Sequence, residues 1–193
     1  MPEPRDLPLF RWGEELRRIR LARRSERRRA IAGLIAATAV GALMVTLISP
    51  PRPLLVWNLS ESSPPGIYQV TSAEQVRRGE MMIARLPGWA RRLAGGRGYL
   101  PVAVPLVKRV GAAAGDRVCA IGEALFVNGH LAARRRRQDG LGRPLPWWTG
   151  CHTLGRGEVL LLMEAAPNSF DGRYFGLTRV GDIVGRARLI WAL

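Results

Sequence analysis

The chain has 193 residues, 47% of them hydrophobic and 23% charged, with a mean hydropathy close to zero. That composition excludes a disordered tail, a collagen-like fibre and a multi-span membrane protein, and the length allows one ordinary domain with an appendage. There are 30 basic residues against 15 acidic ones, a net charge of +15, and every basic residue except Lys108 is an arginine.

So strong a preference for arginine fits a GC-rich genome in which any tolerant lysine has become arginine. The surviving lysine is then a candidate for chemistry that a guanidinium cannot perform, because a buried ammonium can lose its proton and arginine cannot. A lysine left by chance is the alternative, and composition alone does not separate the two.

Residues 1–29 carry ten arginines and five acids, with Arg23, Arg24, Arg27, Arg28 and Arg29 crowded at the end. Ala30 to Ser49 then run for 20 positions without a charge. A helix of that length crosses about 30 Å, the thickness of a hydrocarbon core. Pro50, Pro51 and Pro53 stop it. A core helix would be amphipathic, and a cleaved secretory signal has a shorter apolar run, so a retained single span is the favoured reading. The arginine-rich flank places residues 1–29 in the cytoplasm and 50–193 outside, in the periplasm of a bacterium.

Beyond the span, apolar or alternating runs predict strands at 81–84, 102–110, 117–121, 124–127, 159–163 and 183–191, separated by glycine and proline. Asn128-Gly129 predicts a hairpin turn. The stretches 87–100 and 132–150 read as loops, and Arg134 to Arg137 as a solvated arginine run with acidic lipid as a second possibility. Cys119 and Cys151, both exported and without a cluster of metal ligands around them, predict one disulfide. His130 and His152 are isolated. No metal site, phosphate loop or dinucleotide fingerprint is expected, nor any cofactor or nucleic-acid partner.

The segment Trp57-Asn58-Leu59-Ser60-Glu61-Ser62-Ser63-Pro64-Pro65-Gly66-Ile67-Tyr68 would ordinarily be a polar loop. Its position after the span and before the lone lysine suggests more. A serine needs a base to become a nucleophile, and a desolvated neutral lysine can replace histidine in that role. Val104-Pro105-Leu106-Val107 and Val110 give Lys108 an apolar setting.

These residues resemble a family. The chain from about Asn58 to Trp191 is similar to signal peptidases of the Ser/Lys type, and within them to the conjugative-transfer (TraF-type) peptidases. The resemblance rests on N-x-S-x-S-x-P-x-G-I-Y at 58–68, V-K-R-V with G-D-x-V at 107–118, and S-F-D-G-R-Y-F-G at 169–176. V-N-G at 127–129, G-R-P-L-P at 142–146 and V-G-R at 184–186 also fit. Two departures stand out. Position 63 is serine where the pattern carries an apolar residue, and the G-D-N-R-D stretch of the housekeeping leader peptidases is missing.

The resemblance implies a mainly β fold, one N-terminal transmembrane helix followed by an antiparallel β-sheet domain. It implies Ser62 as nucleophile and Lys108 as general base, with Ser60 completing an oxyanion hole and Ser169 orienting the lysine amine. Asp171 and Arg173 would form a supporting salt bridge. A precursor protein would bind as an extended strand beside the segments of Ser62 and Lys108, with Ser63 and Val107 among its contacts and small residues at the cleavage site. Membrane lipid and other components of a conjugative transfer or type IV secretion apparatus are the further partners implied. The implied reaction is processing of a pilin-like precursor. A general type I signal peptidase, a non-catalytic membrane-anchored component of a transfer apparatus and a self-cleaving repressor are the competing readings. The missing leader-peptidase stretch speaks against the first, the serine box with the lone lysine against the second, and the membrane span against the third.

Overall fold

A continuous helix, α1, occupies Pro8–Ile48 in the computed structural model, which describes residues 8–48 and 53–193. The expected end of the span at Ser49, the stop at Pro50 and Pro51, the flanking Arg52 and residues 1–7 lie outside the described residues. The helix begins well before the apolar run, because its arginines, glutamates and leucines are themselves good helix formers. Its 41 residues extend about 60 Å, twice a hydrocarbon core, so only its apolar C-terminal half has the length and composition to cross a membrane. All its described side chains are exposed, as suits a span or a signal sequence rather than a core helix. It forms one compact unit and the β-rich domain another.

The β-rich domain begins with β1 (Leu55–Asn58), β2 (Gly66–Thr71) and β3 (Met81–Ala84). A helix, α2 (Gly88–Gly96), precedes β4 (Leu106–Ala112). Four strands follow: β5 (Arg117–Ile121), β6 (Ala124–Val127), β7 (His130–Arg134) and β8 (Gly150–Thr153). Then come β9 (Glu158–Leu161), the one-turn helix α3 (Gly172–Phe175), β10 (Thr178–Arg179) and β11 (Ile183–Ala192). The fold is mainly β and antiparallel, and three of the predicted strands have the expected bounds. Two expectations are corrected. Residues 102–105 are not strand, since Pro101 and Pro105 cannot donate to a ladder. The stretch 87–100 is not a loop, because Ala90 and Ala94, four apart, are buried on one side of α2.

Seven strands form one sheet in the order β1-β2-β11-β3-β4-β9-β10. At about 4.8 Å per strand, β1 and β4 would lie about 19 Å apart in a flat sheet. Instead the loop after β1 touches β4, so the sheet curls until two of its strands face each other. Inside the curl Val56, Tyr68, Ile83, Val107 and Ala187 pack together. A second cluster of Met82, Leu86, Val110, Val159, Leu161 and Phe175 packs against α2.

The smaller sheet, β7-β6-β5-β8, is inserted between β4 and β9. Its β6–β7 turn is Asn128-Gly129, both with positive φ (52° and 82°), as a two-residue hairpin requires. Cys119 and Cys151 sit directly opposite on β5 and β8 and are disulfide-bonded, with Cα atoms 4.0 Å apart. The bridge closes a loop of sequence separation 32 and restricts the unfolded chain. Reduction should lower stability by about 4 kcal/mol, measured as a shift in denaturant midpoint with and without reductant.

Arg134 to Arg137 do not form a uniformly solvated run. Arg135 is buried, donates to the carbonyls of Trp148 and Gly122, and stacks 4.0 Å above the Trp147 ring. Arg137 turns the same way, to Glu123 at 3.1 Å. His130 and His152 are exposed, and His152 Nε2 lies 2.8 Å from Glu158.

Candidate active site

The loop between β1 and β2 is held from within by Asn58. Its amide donates to the carbonyls of Ser60, Ser63 and Pro64 at 3.1, 3.1 and 3.2 Å and to Ser63 Oγ at 3.0 Å. Its carbonyl oxygen accepts the Ser60 N–H at 3.2 Å. Tyr68 adds a 2.7 Å bond from its hydroxyl to the Pro64 carbonyl. Sequence reading assigned neither residue a role, since an asparagine before a serine-proline stretch looks like an ordinary turn former. Gly66 closes the loop at φ +152°, where a Cβ would meet the Trp191 carbonyl oxygen at 2.1 Å.

Held this way, the loop directs Ser60 and Ser62 outward and Ser63 inward. Ser63 was expected to contact substrate, and that is corrected: it is 3% exposed, its hydroxyl is taken by Asn58, and it does not line the cleft. Ser60 Oγ lies 2.7 Å from Ser62 Oγ and accepts the Ser62 N–H at 3.3 Å. Ser62 Oγ in turn lies 2.5 Å from Lys108 Nζ.

Lys108 is 4% exposed on β4, in register with Met82 of β3. Burial is the main influence on its amine and lowers its pKa to about 8; Asp171 raises it and Arg173 lowers it to lesser extents. At pH 7 about one molecule in ten then carries a neutral amine, against less than one in a thousand at the ordinary lysine pKa.

Asp171 and Arg173 are both fully buried, with Nε–Oδ1 at 2.8 Å and Nη2–Oδ2 at 3.1 Å. The pair also fastens the chain around it. Asp171 accepts the N–H of Met163, and Arg173 donates to the carbonyls of Met163, Pro167 and Arg134. Between the two, Gly172 packs so tightly that a Cβ would fall 2.7 Å from the Leu161 carbonyl oxygen. Ser169 is buried in the same cleft wall, yet its hydroxyl has no hydrogen-bond partner among the described residues and makes no bond to Lys108. The expected Ser169–Lys108 contact is therefore not formed; the amine is engaged by Ser62 instead.

The two serines and Lys108 open into a cleft of about 680 Å³. Val56, Leu86, Val104, Leu106, Val107 and Phe170 make much of it apolar. Two strand edges border it. β1 is the edge strand of its sheet, and β4 pairs with β9 only from Val110 onward, leaving the outer side of 106–108 without a strand partner. A hydroxyl beside a desolvated amine, with an N–H and a second hydroxyl near it, can attack a carbonyl and stabilise the resulting oxyanion.

Residues 27–192 match the family described as signal peptidase, peptidase S26. Two Escherichia coli proteins, each described as plasmid transfer protein TraF, are similar to this chain. One is 36% identical over 62% of this chain and 72% of its own length. The other is 42% identical over 41% of this chain and 46% of its own length. A crystal structure of a signal peptidase I from Enterococcus faecalis V583 matches 60% of this chain and 98% of its own with a TM-score of 0.35 and 17% identity.

Proposed function

The chain belongs to the signal peptidase family, peptidase S26, and from that premise we propose that it is a membrane-anchored serine endopeptidase acting through Ser62 and Lys108. The observation that carries the reading is the 2.5 Å approach of Ser62 Oγ to a buried amine of lowered pKa. In this reading neutral Lys108 takes the Ser62 proton as Oγ attacks the scissile carbonyl. The oxyanion exchanges places with the Ser60 contact and is held by the Ser62 N–H and the Ser60 hydroxyl. The Lys108 ammonium protonates the leaving amine, and water then hydrolyses the acyl-enzyme. The open edges of β1 and β4 receive the precursor as an added strand. Residues 30–49 form the membrane span, and residues 1–29 stay cytoplasmic because of their arginines, which leaves 50–193 as the periplasmic peptidase domain. The relatives named for plasmid transfer support a role in conjugative transfer, and the proposed substrate is a precursor of pilin type cut at small residues, as the motif resemblance implies.

The pH dependence of cleavage tests this reading. The active form carries a neutral amine, so kcat/KM should rise about tenfold per pH unit up to about pH 8 and level off above it. The full chain in detergent, with a precursor peptide, gives the profile. A rate that is flat or falling between pH 6 and 9 would remove Lys108 as base.

A further inference from the structure

Besides the two serines and Lys108, the cleft is lined by the polar residues Tyr99, Arg136, Gln138 and Asp139. After β7 the chain leaves the strand and bends at Arg137. Arg135 and Arg137 turn to Trp148 and Glu123, while Arg136 between them lines the cleft. Its backbone N–H is anchored to the Tyr174 hydroxyl at 3.1 Å. Its guanidinium has no hydrogen bond or ion pair among the described residues.

Asp139, the one carboxylate lining the cleft among the described residues, is not available to it. That carboxylate accepts from the Tyr99 hydroxyl, from Arg143 Nε at 2.7 Å, and from the N–H groups of Arg143 and Leu141, each at 2.9 Å. Burial raises its pKa, but these bonds outweigh it and hold the carboxyl well below the usual range. Asp139 is thus ionised and already matched, whereas Arg136 is exposed, has no acidic partner among the described residues and adds its positive charge to that of Lys108 in the same peptide-sized cleft. Positive charge along a cleft raises the local concentration of anionic ligands and so selects ligands by sign.

We propose that Arg136 is a specificity-determining residue that binds a carboxylate of the substrate away from the scissile bond. The inference rests on the peptidase reading above. The carboxylate comes either from an acidic side chain or from the free C-terminus of the precursor.

Peptides scanned with Glu and Gln at each position around a cleavable core, as free acids and as amides, separate these two sources. The full chain should cleave either the Glu peptide at one position, or the free acid, about five- to tenfold more efficiently than its neutral counterpart. That ratio should shrink with added salt. Arg136→Gln should bring the ratio to one, and Arg136→Glu should invert it in favour of Lys-bearing peptides. A parent ratio of one throughout, or a preference that survives Arg136→Glu, overturns the proposal. Anisotropy of the same peptides, fluorescently labelled, on Ser62→Ala reads the preference without turnover. Failure of the parent to cleave any peptide would count against the peptidase reading, and equal binding of acidic and neutral peptides would count against Arg136.

Discussion

Ser62→Ala and Lys108→Arg should each lower kcat/KM on a precursor peptide by at least about 10⁴-fold while circular dichroism stays that of the parent. The serine change deletes the attacking oxygen and little else, since Ser62 is only half-buried. The lysine change is the more informative one. It keeps the positive charge on β4 but installs a group that cannot become neutral, so attack by Ser62 would have no proton acceptor. Ser60→Ala should cost about 10²-fold, the usual effect of removing one oxyanion donor. Ser63→Ala should be close to silent, because Asn58 keeps three carbonyl acceptors when the Ser63 hydroxyl is gone. Substantial cleavage by Lys108→Arg would end the base assignment. Activity surviving in Ser62→Ala but lost in Ser63→Ala would move the nucleophile one residue along.

Breaking the Asp171–Arg173 pair should have the largest effect on stability. Each partner is enclosed, so removing one leaves an uncompensated buried charge and costs about 3–5 kcal/mol, a large share of a typical domain's total. Asp171→Asn and Arg173→Met should both show this in denaturant unfolding, whereas the double variant should recover part of the loss. The two single variants part company in the pH profile. Asp171 raises the Lys108 pKa and Arg173 lowers it. In whatever fraction folds, Asp171→Asn should therefore shift the acid limb of cleavage to lower pH, and Arg173→Met should shift it to higher pH. A merely structural pair would move stability and leave both limbs in place.

The strands read most accurately from sequence were those with both a pattern and clear ends. Met81–Ala84, Arg117–Ile121 and Ala124–Val127 are short apolar or alternating runs enclosed by glycine or charge. β1 and β2 were missed because the serines and prolines between them dominate the local signal, and β8 because all four of its residues are exposed. The helix α2 hides behind its own glycines and arginines. Ser62 and Lys108 were legible through motif and composition, 46 residues apart. The inward turn of Ser63, the Asn58 hub and the burial of Arg135 were not, since each is decided by partners distant in sequence or by loop geometry that no periodicity encodes.

The solitary lysine also gives the candidate site a chemical handle of its own. Apart from the α-amino group, Lys108 holds the only primary amine in 193 residues, and it lies at the cleft with a nucleophilicity that neighbouring arginines cannot imitate. An amine-selective acylating reagent small enough to enter would mark each polypeptide at one internal position. The mass of that adduct would count the Lys108 amines accessible from the cleft, and the degree to which a bound peptide shields Lys108 would report occupancy of the cleft without any cleavage taking place.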